Sequence, residues 1–209
     1  MPSQASQPGH GPRPLAIVPA AGSSTRMGRP KLLLPWGLET VIGATLRALL
    51  AGGVEEAVVV VAAAGPLAGW QPPAGVRRVV NADPARGMLS SVLAGLAALA
   101  PTTPDPLVVC PADLPALRAE TVVALLTVYR REGGVVVPRC GDGRGSKRGH
   151  PLLLAPAWQQ RIPELAIHEG GLRRILELAA GAVHEVAVDD PGTLHDVDTP
   201  EDYERLRPR

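Results

Sequence analysis

Short runs of aliphatic and β-branched residues alternate along this 209-residue chain with longer stretches whose apolar positions recur every three to four residues. Residues 15–20 (Leu-Ala-Ile-Val-Pro-Ala) form an apolar run that reads as the first strand. Residues 57–62 are a continuous apolar run, typical of a strand covered on both faces, and 76–80, 106–111, 135–138, 152–154 and 183–188 read as further strands. Between them, residues 40–52, 89–100, 119–131 and 172–180 carry apolar positions at helical spacing. Gly52-Gly53 and Gly181 stop the first and the last of these. Residues 158–162 predict a short helix and 200–206 a terminal one, while 140–149 read as a charged, flexible loop. The alternation predicts an α/β fold, a mostly parallel, doubly wound sheet with helices on both faces.

Composition narrows what such a fold can serve. The length suits one domain over residues 14–209, and residues 1–13, rich in Pro, Ser, Gln and Gly, read as a disordered tail. That tail lacks the apolar core of a signal peptide, and no apolar stretch approaches membrane-spanning length, so a cytoplasmic protein without a membrane partner is expected. A net charge of +1 leaves no broad basic field for nucleic acid. Three Trp, two Tyr and no Phe leave no base-stacking platform, so Leu, Val, Ala and Ile must build the core. Cys110 ends an apolar run and reads as buried; Cys140, in a polar Gly-rich stretch, reads as an exposed thiol. Neither suggests a metal pair or a disulfide.

The densest chemistry follows the first strand. It runs into Ala21-Gly22-Ser23-Ser24-Thr25-Arg26-Met27-Gly28, with Lys31 nine residues after Gly22. Short residues let backbone N–H groups turn toward an anion, and Arg26 and Lys31 then neutralise it. The carboxyl end of a strand is where open α/β sheets bind ligands. The loop is no P-loop, since no Lys follows Gly28 directly, and Gly22-Ser23-Ser24 breaks the dinucleotide fingerprint. Ala20, Ala21, Gly22, Ser23 and Ser24 therefore read as a phosphate cradle of another kind.

Asp113 ends the apolar strand at 106–111 and presents a carboxylate beside that loop. Mg²⁺ at nucleotide sites takes one or two carboxylates plus phosphate oxygens and water, which suits Asp113; the plainer reading is a turn cap before Pro115. Asp196 and Asp198 stand two apart on an extended segment and point the same way. One of them can supply a second metal ligand, a role assigned to Asp198. Thr199, Pro200 and Asp202 predict an acidic capping box. His150, between Gly149 and Pro151, can donate to an acceptor substrate. Gly170-Gly171-Leu172-Arg173-Arg174 opens a helix where Arg173 can hold a second phosphate. Asn81, Gly87 and Ser90 lie between strand and helix and are expected to line a base and ribose pocket. His10, His168 and His184 show no partner pattern and read as surface.

In order and spacing, these motifs together resemble the molybdenum cofactor nucleotidyltransferase family, most of all its cytidylyltransferase branch. The resemblance runs from Leu15 to about Leu206. It implies a Rossmann-like nucleotidyltransferase fold, a Mg²⁺-bound CTP donor, molybdopterin phosphate as acceptor, and a molybdoenzyme or its chaperone downstream. Arg26 and Lys31 would match the family's triphosphate-binding cations and Asp113 its metal-binding carboxylate. Ala20-Ala21-Gly22 resembles the cytidylyl branch, where the guanylyl branch tends to show Gly-Gly. Pro19 and Ala112 depart from the family pattern without removing a chemical group. The alternatives are GTP or another acceptor in the same chemistry, a non-catalytic cofactor carrier, and an NAD(P)-binding oxidoreductase, against which the missing fingerprint argues.

Overall fold

A computed structural model describes residues 13–99, 105–141, 145–167 and 171–208. Most of the predicted tail with His10, and also Ala100, the middle of the 140–149 loop, His168 and Gly170, lie outside the described residues. Arg13, the last residue of the predicted tail, is held: its N–H donates to Asp105 and its guanidinium pairs with Glu55.

The first strand, β1 (Leu15–Pro19), is central, with Ala16, Ile17 and Val18 fully buried. A two-stranded hairpin of β2 (Pro35–Trp36) and β3 (Glu39–Thr40) follows. Thr40 then caps α1 (Val41–Ala51), its hydroxyl accepting the Gly43 N–H at 3.2 Å. β4 (Glu56–Ala62) and β5 (Val76–Asn81) lead to α2 (Met88–Leu99), β6 (Leu107–Val109) and α3 (Ala119–Glu132). Then come β7 (Val135–Gly141), β8 (Ser146–Arg148), β9 (Leu152–Leu154) and α4 (Pro156–Gln159). α5 (Arg173–Leu178), β10 (Val183–Ala187) and α6 (Pro200–Leu206) complete the chain.

The main sheet has the order β10-β7-β9-β6-β1-β4-β5, with β8 paired to β7. β9 is antiparallel to both neighbours and β8 to β7, while every other pairing is parallel. The strand alternation divides the core by face. Ala16, Val18, Val59 and Val61 pack under α1, α3 and α6, whereas Ile17, Val58 and Val60 pack under α2 and α5. Gly95 lets α2 lie directly on β1, since a Cβ there would sit 2.7 Å from an Ile17 methyl.

From β1 the chain winds outward through β4 and β5, then crosses back to β6 on the other side of β1. The strand order therefore reverses between β1 and β6, and their carboxyl ends open a crevice there.

Three sequence expectations change. Cys140 is buried, because β7 continues three residues past Pro138 and pairs Cys140 with Lys147 of β8. The β7–β8 hairpin turns much of the expected loop into strand. The helix expected at 158–162 begins instead at Pro156, a favoured first helical residue, and ends at Gln159; a separate 3₁₀ turn spans Ile162–Ile167.

Candidate active site at the strand-order reversal

Two strand ends build the site. β1 delivers the cradle loop, which Ser24 (φ +51°) and Gly28 (φ +66°) bend through left-handed backbone. The N–H groups of Ala21, Gly22, Ser23 and Ser24 donate to no protein acceptor among the described residues. They are free for an anion. Lys31 opens a short turn seated by buried Leu32. β6 delivers Asp113, and its approach is pinned: the Ala112 N–H donates to Pro19, and Thr45 donates from α1 to the Ala112 carbonyl at 3.1 Å. Nothing in the sequence marks Thr45 beyond a polar residue on an otherwise apolar helix face.

The third strip comes from far along the chain. The Val197 N–H donates to the Asp113 carbonyl, drawing residues 196–198 alongside. The capping box forms as expected, with reciprocal bonds between Thr199 and Asp202. The Tyr203 hydroxyl, donating to the Pro35 carbonyl at 2.6 Å, ties α6 down. Asp198, just before the cap, is thereby aimed into the crevice.

There Lys31 Nζ lies 2.6 Å from Asp113 Oδ2 and 2.6 Å from Asp198 Oδ1, and Arg26 Nη2 lies 2.5 Å from Asp198 Oδ2. Lys31, Asp113 and Asp198 are mostly buried, while the Arg26 side chain is 68% exposed. Asp196 joins them, the carboxylates of Asp113, Asp196 and Asp198 offering oxygens all within 4.8 Å of one another. Burial works against the charge on Lys31, yet the two carboxylates outweigh it and raise its pKa. Burial likewise opposes ionisation of Asp198, but Lys31 and Arg26 hold it below the usual carboxylate range. For Asp196 partial desolvation, then the charges of Asp198 and Asp113, outweigh the pull of Lys31 and push its pKa up. Asp113 Oδ1 is buried without a hydrogen bond. A buried orphan oxygen among three hard oxygen donors fits a divalent cation such as Mg²⁺.

The cradle amides, Lys31 and Asp113 line a cavity of about 230 Å³. Gly87, Met88 and Ser91 form its far wall. Asn81 and Ser90, expected to line that pocket, stand behind the wall instead. The Asn81 amide donates to Ser90 and Ser91 and accepts the Asp83 N–H, and Ser90 donates to Gly87. Their polar groups are consumed in shaping the turn that carries Gly87. Ser23 and Ser24 line an adjoining cavity of about 280 Å³ with Pro66 and Leu67.

On the opposite side His150 and Arg173 do meet, in a cavity of about 690 Å³ with Met88 and Leu176. His150 also faces the Asp113–Asp196–Asp198 cluster in a neighbouring cavity of about 600 Å³. Its N–H bonds the Thr193 carbonyl, a contact that Gly149 permits, since a Cβ there would lie 2.5 Å from that oxygen. Asp190, buried, holds this segment by accepting from Gly192, Thr121 and the Arg118 N–H. Burial lowers the His150 pKa, Asp113 pulling it partly back, and Nδ1 is buried without a partner. His150 is thus a neutral group with an unused ring nitrogen.

The sequence profile of the MobA-like NTP transferase domain matches residues 16–186. This chain belongs to that family. It is 32% identical to the nicotine blue oxidoreductase of Paenarthrobacter nicotinovorans, over 91% of this chain and 94% of that protein. It is 25% identical to the molybdenum cofactor cytidylyltransferase of Escherichia coli K12, over 90% and 92% of the two chains. Rv0371c from Mycobacterium tuberculosis H37Rv shares the fold with a TM-score of 0.76 at 28% identity, over 94% and 98%. A manganese complex of Rv0371c aligns with a TM-score of 0.68, at the same identity, over 93% and 98%. The family resemblance carried by the motifs and the nucleotidyltransferase fold it implies are both borne out. No helix among the described residues is long and apolar enough to cross a membrane.

Proposed function

We propose that this protein transfers CMP from CTP to the terminal phosphate of a molybdopterin-type cofactor and releases pyrophosphate. An oxygen of the acceptor phosphate attacks the α-phosphorus of CTP, and the bond to the bridging oxygen of the leaving pyrophosphate breaks. The acceptor is already an anion, so no strong general base is needed, and catalysis is positioning plus charge neutralisation. The observation that carries this reading is the meeting of Lys31 with Asp113 and Asp198 beside a loop of free amides.

Lys31 and Arg26 neutralise charge on the α-phosphate and the leaving group, and the amides of Ala21 to Ser24 give fixed donors. Asp113 and Asp198 would hold Mg²⁺, with Asp196 beside them, and the ion would supply charge neutralisation on phosphate oxygens. Gly87 closes the nucleotide side, positioned by Asn81 and Ser90. His150 and Arg173 hold the acceptor in the larger cavity. The Ala20-Ala21-Gly22 resemblance selects cytosine; the amides, Arg26 and Lys31 read only phosphate. A cytoplasmic protein handing its product to a molybdoenzyme or its chaperone fits this chemistry.

The 32% identity to a nicotine blue oxidoreductase favours one second reading, an oxidoreductase that binds a nicotinamide cofactor. The acid cluster argues for the first, since hydride transfer has no use for three carboxylates around a lysine. Thermal melts with CTP, GTP, ATP, UTP and NADPH, each with and without Mg²⁺, separate the two. A ligand that binds only the folded state adds about 2.7 kcal/mol at a hundred times its Kd. CTP with Mg²⁺ should give the largest shift, and pyrophosphate should appear when the acceptor is added. A larger shift with GTP overturns the base assignment alone. A shift with NADPH and none with any triphosphate overturns nucleotidyl transfer.

A further inference from the structure

Resting on that nucleotidyl-transfer reading, we propose that Lys31 stands in for the metal ion between Asp113 and Asp198 in the free protein. The incoming triphosphate draws it away, so that metal and nucleotide bind as a pair while the metal alone binds poorly. The geometry is on both sides of the lysine: one ammonium lies 2.6 Å from each of two carboxylates that face the same crevice. Those are two of the three carboxylates whose oxygens gather within 4.8 Å.

A divalent ion arriving alone has two routes, and both are unfavourable. With Lys31 in place, it meets an ammonium already seated on its ligands. With Lys31 displaced, a side chain only 13% exposed loses both its acceptors. Arg26 cannot relieve this, because it holds the other oxygen of Asp198 from the exposed side. A triphosphate changes the balance. Its oxygens give Lys31 and Arg26 new acceptors beside the free cradle amides, and the carboxylates pass to the metal. Asp113 Oδ1, buried and unbonded, is the oxygen for which the free protein has no cation. The coupling is reciprocal, so nucleotide raises metal affinity by the factor that metal raises nucleotide affinity.

The test follows Mn²⁺ binding to the purified full chain by loss of its free-ion electron paramagnetic resonance signal, without nucleotide. Wild type should bind Mn²⁺ weakly, and Lys31→Met should bind it about tenfold tighter or more, the scale of a site-to-site coupling. Lys31→Gln, which keeps a hydrogen bond to one carboxylate but no charge, should show the same gain and serves if Lys31→Met does not fold. Adding CTP should tighten Mn²⁺ binding to wild type beyond what CTP chelates in a protein-free control, and much less so in either variant. Equal Mn²⁺ affinity in wild type and both variants, with wild type still binding Mn²⁺ and CTP together, overturns the stand-in and leaves nucleotidyl transfer in place. Absence of Mn²⁺ binding in all three, even with CTP, overturns both.

Discussion

Asp113→Asn should separate activity from stability. Asp113 is attracted to Lys31 at 2.6 Å, worth about 6 kcal/mol at an effective dielectric of about 20. It is repelled by Asp196 and Asp198, whose ligand oxygens lie within 4.8 Å, by at least about 3.5 kcal/mol each on the same scale. The repulsion at least matches the attraction, and the amide keeps the shape. Asparagine should therefore cost no more than about 1 kcal/mol of stability, or about 4 °C in Tm for a chain of this size. Turnover should behave otherwise, since the carboxylate's repulsion is released only by a cation. Pyrophosphate release should fall by about 100-fold or more, and its Mg²⁺ dependence should move to higher concentration. The assay pairs melting curves with initial rates across a Mg²⁺ titration. A Tm loss above about 10 °C with an unchanged Mg²⁺ dependence would show that Asp113 braces the turn before Pro115 and holds no metal.

Lys31→Ala should keep the fold and lose about 100-fold or more in turnover, because its ammonium serves phosphate charge; near-normal pyrophosphate release by a folded variant counts against the assignment. His150, neutral because burial lowers its pKa, refuses a proton that the unfolded chain accepts below about pH 6.5. Its contribution to stability is thus full above that pH and declines as pH falls toward the lowered value, so His150→Gln should flatten the fall of Tm between about pH 7 and pH 5; parallel curves refute it. Gly95→Ala should destabilise by about 1–3 kcal/mol in urea titration, despite alanine's better helix propensity, because its methyl would lie 2.7 Å from Ile17. An unchanged midpoint would mean that α2 can shift freely on β1.

Much of this protein is legible from local chemistry. Apolar runs such as 57–62 mark strands covered on both faces, and Val58 and Val59 indeed pack into opposite layers. Ser24, Gly28 and the two cations mark an anion loop, because short residues and positive φ go together. Thr199-Pro200 with Asp202 marks a helix start, because the bonds involved span three residues. Such features depend on neighbours in sequence, and sequence carries them.

What only the tertiary structure decides is who meets whom across long separations. The sequence leaves Asp196 open as a ligand, and the fold groups it with Asp113 and Asp198 because the Val197 N–H reaches the Asp113 carbonyl. It offers Asn81 as a pocket residue, and the fold spends its amide on Ser90 and Ser91, since a buried amide must bond. It presents Lys31 as a phosphate ligand, and the fold seats it on two carboxylates 82 and 167 residues away. Those pairings arise where the strand order reverses between β1 and β6, a property of the path of the whole chain that no local window contains.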